Sequence, residues 1–202
     1  MKIIKPSIEI ITPIDRDYIL KHLERCGRTC YKSEDKITED SASKFVSMIK
    51  KRKHDSVLEH IAITVRVICD RGVTHEIVRH RIGCSYSQES TRYCNYGKDK
   101  FGGEITFIRP PNLSTQEYIS WTKVMETAEE EYLKMISFGT SPQIARSVLP
   151  NSLKTEIVMT LNLRAWLHFF DLRCAEAAHP QMREIADMIK KEFIEQLPEI
   201  FS

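Results

Sequence analysis

Residues 60–70, HIAITVRVICD, decide the fold class. Ile61, Ile63, Val65, Val67 and Cys69 alternate with smaller or polar neighbours, the period of two that puts one apolar face of a strand against a core. The run closes on Asp-Arg-Gly, which reads as a turn, and THEIVRHR (74–81) reads as a short helix leaving it. The segments on both sides have the other period. In DRDYILKHLERC (15–26), Ile19, Leu20 and Leu23 share one helical face behind an aspartate cap, and Gly27 is expected to stop the helix. Residues 40–51 repeat that pattern through Ala42, Phe45, Val46 and Ile49. Helices therefore precede the strand.

Downstream, a Gly- and Lys-containing loop near 97–103 leads to EITFIRPP, a second strand ended by two prolines. Ser114 and Glu117 form a capping-box pattern ahead of a long helix in which Tyr118, Trp121, Met125, Ala128, Tyr132 and Met135 recur at three- and four-residue steps. A rod of roughly 37 Å, at about 1.5 Å per residue, exceeds what a compact domain of this size needs and points to an oligomer interface. SPQIARSVLP is a short helix between Pro142 and Pro150. LKTEIVMTLNLR alternates as a third strand, and helices over 164–176 and 182–197 close the chain. The expected architecture is α+β, a small mixed sheet flanked by helices including one long one, in a single domain over residues 1–202.

Composition narrows the function. A net charge of +2 is too balanced for a broad nucleic-acid backbone surface, so no nucleic-acid partner is expected and any anion site must be local. No apolar run reaches the eighteen residues of a membrane span, and Pro6 and Glu9 interrupt any signal-like start. The reading is a cytoplasmic protein with no membrane partner. Six cysteines never fall in a C-x-x-C pair, and HDSVLEH (54–60) has neither zincin spacing, so no metal is expected. As a strand-edge loop, HDSVLEH could instead present Ser56 and Glu59 to a cofactor.

The local anion site is RHRIGCSYSQESTRY (79–93), whose one carboxylate is Glu89. Arg79, Arg81 and Arg92 offer forked donors, and Ser85, Ser87, Ser90 and Thr91 add neutral ones. A cationic face paired with distant acids is the competing reading. Arg146, in IARSVLP, has apolar neighbours that should draw its base toward the core, where it would need an anion. In LNLRAWLHFFDLR, Asn162 sits at a strand-to-helix transition and Arg164 and His168 share a helix face, with Arg173 turned to another side. His168 beside Phe169 and Phe170 could as readily be a core histidine, and Arg173 with Asp171 a surface pair.

Together these motifs resemble the flavin-dependent thymidylate synthases, whose signature is R-H-R, seven or eight residues, then Ser. Here Arg79, His80 and Arg81 are followed by eight residues and Ser90, and the resemblance extends from HDSVLEH through IARSVLP to NLRAWLHFFDLR. It implies a homotetramer with active sites between subunits, FAD as cofactor, NADPH as reductant, and methylenetetrahydrofolate as the carbon donor that converts dUMP to dTMP. It further implies that Ser56, Arg79, His80, Arg81, Gln88, Asn162, Arg164 and His168 contact FAD. Glu76, Arg79, Gln88, Ser90, Thr91, Arg92, Arg146 and Arg173 would hold dUMP. Arg173 matches the arginine that polarises the N3/O2 edge of uracil so that C5 becomes nucleophilic. Glu76, Gln88 and His168 stand where relatives can carry Gln, Glu and Asn. Cys84, Cys94 and Cys174 match no catalytic position.

Overall fold

The computed structural model describes residues 1–97 and 103–202, so most of the loop expected over 97–103 lies outside the described residues. The chain is a mixed α/β protein. Strands β1 (Lys2–Ile4) and β2 (Ser7–Ile10) precede helices α1 (Arg16–Tyr31) and α2 (Ser41–Lys51), and a 3-10 helix over Asp55–His60 leads into β3 (Ala62–Asp70). Then follow α3 (Arg71–Ile77), β4 (Cys84–Gln88), β5 (Thr106–Ile108), α4 (Thr115–Ser137) and α5 (Pro142–Ala145). Strand β6 (Lys154–Asn162) and helices α6 (Leu163–Arg173), α7 (Pro180–Gln196) and α8 (Pro198–Phe201) complete it. One sheet has the strand order β2-β3-β6-β4, and β1 pairs with β5 in parallel, Lys2 opposite Thr106. No helix among the described residues is long and apolar enough to cross a membrane.

The alternation in β3 is physical: Ile63, Val65 and Val67 are fully buried. Four expectations are corrected. Helix α1 runs through Gly27, because that residue is where Phe45 of α2 crosses: an added Cβ would lie 2.6 Å from the Phe45 ring. Glycine here permits close approach and does not end the helix. After β3 there is no turn; Asp70 caps α3 directly, its carboxylate accepting from the Val73 amide at 2.8 Å. Helix α3 then ends at Ile77, leaving Arg79, His80 and Arg81 on the connection to β4. HDSVLEH is a 3-10 helix with Val57 and Leu58 buried, not an open loop.

Strands β1, β2 and β4 were not expected. β4 is the clearest case, since CSYSQ alternates in burial, with Cys84, Tyr86 and Gln88 half-buried between exposed Ser85 and Ser87, but carries too little apolar chemistry to announce it.

The chain divides into two compact units. The first comprises residues 1–7, 67–79 and 87–157. Its core is Tyr96, Ile105, Phe107, Met125, Tyr132, Ala145 and Leu153. Helix α4 begins at the expected capping box, Ser114 with Glu117, and its 23 residues bury fully only Met125 and Tyr132, leaving Ile119 and Val124 exposed. The second unit comprises residues 8–66, 80–86 and 158–202. Its core is aromatic: Trp166, Phe169, Phe170, Phe193 and Phe201 stack at 5.0–5.8 Å between ring centroids. The Trp166 indole donates to the Ile63 carbonyl at 3.2 Å, which locks α6 onto β3. That lock sets where the side chains of α6 emerge.

Candidate active site

In the first unit, residues 88–92 are held at nearly every position. The Gln88 amide donates to Thr74 Oγ1 at 3.1 Å and Thr155 Oγ1 at 3.3 Å, and both threonines are buried. Its carbonyl oxygen is the remaining face. Ser90 Oγ accepts from the Arg92 amide at 3.3 Å. Thr91, buried, accepts from Arg146 Nη1 at 2.9 Å. Arg146 is itself exposed, contrary to the expectation of a partly buried base. Helix α5 is only four residues long and turns inward at Ala145 alone, so Ile144 and Val148 stay outside and pull nothing inward. Arg92 is exposed over the Tyr93 ring, 5.5 Å from its centroid. Glu76 is half-buried on α3, and Arg79 is exposed just past that helix.

In the second unit, His80 is buried and forms the centre of a cluster. Its Nε2 accepts from Arg173 Nε at 2.9 Å, a contact that suits the tautomer with its proton on Nδ1. The ring lies against Phe169 at 5.0 Å and meets His168 edge-on at 5.9 Å. Tyr86 donates to the His80 carbonyl at 2.7 Å, and burial, reinforced by the Cys84 thiol, raises its phenol above the usual range, while Arg173 opposes the rise. Arg173 and His168, expected on different sides of α6, therefore converge on one ring. Arg173 is bound to His80.

Arg164 turns instead to Glu59, Nη1 to Oε1 2.6 Å, a pair too exposed to contribute much stability. Asn162 caps α6, its Oδ1 accepting from the Ala165 amide at 2.8 Å, and its Nδ2 lies under Gly83, which has φ +68°. Ser56 and Arg81 are exposed. The thiol of Cys84 is raised by burial, and that of Cys174 is pushed up to about 12 by burial and by Asp187.

The electrostatics answer the question that the motif posed. Among the described residues, ion pairs engage Arg16, Arg28, Arg66, Arg164, Lys134 and Lys154. Arg79, Arg81, Arg92 and Arg146 have no carboxylate at ion-pair distance there. The reading of a face neutralised by distant acids fails for these four. Thr74, Tyr86, Gly83 and Lys154 were missed by sequence reasoning. Only Gly83, the single glycine inside the motif, carried a signal that could have found it.

The family described as Thymidylate synthase complementing protein matches residues 17–199. A flavin-dependent thymidylate synthase of Pyrococcus furiosus is 37% identical over 163 residues, 79% of this chain and 66% of that protein. Its counterpart in Mycolicibacterium gilvum is 32% identical over 217 residues, 98% of this chain and 83% of that one. The chain spans 63% of the length of the Pyrococcus abyssi relative and 54% of that of Thermococcus onnurineus. A crystal structure of a UMP/dUMP methylase from Streptomyces cacaoi, bound with 5-Br dUMP, superposes with a TM-score of 0.82 at 23% identity, covering 100% of this chain and 95% of that one. Its fold is therefore the fold of this chain. On the matched residues and the identities to its members, this chain belongs to the family of the flavin-dependent thymidylate synthases.

Proposed function

We propose that the protein methylates dUMP reductively, taking the carbon from methylenetetrahydrofolate and the electrons from NADPH through bound FAD, and releasing dTMP and tetrahydrofolate. The observation that carries this reading is the set of four arginines, Arg79, Arg81, Arg92 and Arg146, left without carboxylate partners among the described residues. Exposed guanidiniums with no internal counter-charge suit phosphate, and dUMP and FAD together bring three phosphate groups. A donor set of arginines, hydroxyls and amides, with no carboxylate in reach of the four, also fits the pyrophosphate of FAD.

In the first unit, Arg92 and Arg146, with Ser90 and Thr91, bind the dUMP phosphate, joined by Arg79. Gln88 and Glu76 serve the base or sugar. In the second unit, Ser56, His80, Arg81, Asn162, Arg164 and His168 hold the flavin nucleotide. When bound, the flavin supplies a two-electron carrier between NADPH and the transferred carbon. Arg173 faces the N3/O2 edge of uracil and favours the charge that makes C5 nucleophilic, with its Nε held by His80. No thiol is needed for attack at C6, and the raised thiols of Cys84 and Cys174 support that view, because the thiolate is the nucleophile. The exposed apolar side of α4, with Ile119 and Val124, supports self-association, and the proposed assembly is a homotetramer with active sites completed between subunits; the proposed location is the cytoplasm.

The test is a visible absorption spectrum of the purified protein, then anaerobic addition of NADPH with and without dUMP. Flavin bands that bleach, and dTMP formed when folate is supplied, are expected. A colourless protein that takes up no added FAD overturns the reading.

A further inference from the structure

Glu89 is the one carboxylate inside the cationic stretch, three residues before Arg92, and it ought to be the nearest competitor for the phosphate that Arg92 binds. It is turned elsewhere. Glu89 Oε2 lies 3.0 Å from Lys154 Nζ, and Oε1 accepts from Tyr96 OH at 2.8 Å. Its side chain is 16% exposed and that of Lys154 20%. Both, with Tyr96, Glu104 and Thr106, line a cavity of about 100 Å³ in the first unit. The backbone is pinned too: the Glu89 amide donates to the Glu156 carbonyl at 2.9 Å, and Arg71 Nη1 reaches the Glu89 carbonyl at 3.4 Å. Lys154 also binds Glu156 at 2.5 Å, so one cation neutralises two carboxylates. Against the burial that would lower it, these two partners keep the lysine's pKa above its ordinary value.

We infer that Lys154, with Tyr96, sequesters the Glu89 carboxylate away from Arg92 and Arg146, and is thereby a positioning residue for nucleotide phosphate. The inference rests on the dUMP reading above. The opposite of a simple structural prop follows from it. In Lys154→Met the side chain keeps its length, but Glu89 loses its counter-ion at the start of the phosphate-binding loop. Glu89 is then an internal rival for Arg92 and Arg146. An unscreened charge at that range weakens a phosphate ligand by about tenfold at low salt, and less as salt rises.

The test is dUMP titration by calorimetry on the flavin-loaded protein at two salt concentrations, with deoxyuridine as the probe lacking phosphate. Lys154→Met should weaken dUMP about tenfold at low salt, and Glu89→Gln added to it should bring affinity back to within about threefold of the parent. Glu89→Gln alone should bind dUMP at least as tightly as the parent, and this variant keeps the test alive if Lys154→Met does not fold. Recovery by a second substitution is what a merely structural role would not produce. Parent protein that binds dUMP while Lys154→Met binds it equally well, or a double variant weaker than Lys154→Met, overturns this inference alone. Parent protein with no affinity for dUMP overturns the functional reading and the inference with it.

Discussion

Replacing Gly83 by alanine should destabilise the second unit by more than its backbone conformation explains. Gly83 has φ +68°, where an L-residue costs roughly 1–2 kcal/mol. The same backbone cost applies to Gly139, φ +84°, which closes α4 with its amide on the Ile136 carbonyl at 2.9 Å. The two differ in what the new methyl meets. At Gly139 nothing lies within 4 Å, whereas at Gly83 the Cβ would sit 2.7 Å from Asn162 Nδ2. The amide must swing, and its Oδ1 is the cap of α6, an interaction worth about 0.5–2 kcal/mol. Gly83→Ala should therefore cost about 1.5–4 kcal/mol and Gly139→Ala about 1–2 kcal/mol. Midpoints of urea unfolding, compared at unchanged slope, measure the difference. Adding Asn162→Ser, which keeps a capping oxygen on a shorter side chain, should recover part of the loss. A Gly83→Ala midpoint no lower than that of Gly139→Ala would refute the contact argument. Helix α6 carries Arg164, His168 and Arg173, so flavin content should fall with stability in Gly83→Ala and stay unchanged in Gly139→Ala.

Arg92→Ala removes a charge-assisted contact worth about 1.5–3 kcal/mol, and dUMP affinity should drop by one to two powers of ten; unchanged calorimetric affinity would remove Arg92 from the site. For Arg173→Ala, turnover should fall further than flavin content, and normal dTMP formation by that variant would reject its role at the uracil edge. Alkylation of the native protein at pH 8 should label exposed Cys30 first and spare buried Cys69 and half-buried Cys174, whose thiols stay protonated well above that pH; early labelling of Cys174, read by mass spectrometry, would contradict its environment.

The R-H-R signature, the capping box of α4 and the apolar alternations of β3 and β6 are local patterns, and each was legible in the chain because neighbours a few residues apart carry the information. The family followed from those motifs alone. The end of α1 was misread, since Gly27 carries the same letter whether it terminates a helix or admits Phe45 from the next one. Strand β4 was hidden because its half-buried face ends in a glutamine whose partners, Thr74 and Thr155, come from distant segments. What tertiary structure alone decided is where each charge finds its partner. Arg164 goes to Glu59, Glu89 to Lys154 and Arg173 to His80 across separations of 105, 65 and 93 residues. Ion pairing depends on distances of a few ångströms, which no spacing along the chain encodes, so it was the fold that decided that Arg79, Arg81, Arg92 and Arg146 meet no carboxylate among the described residues.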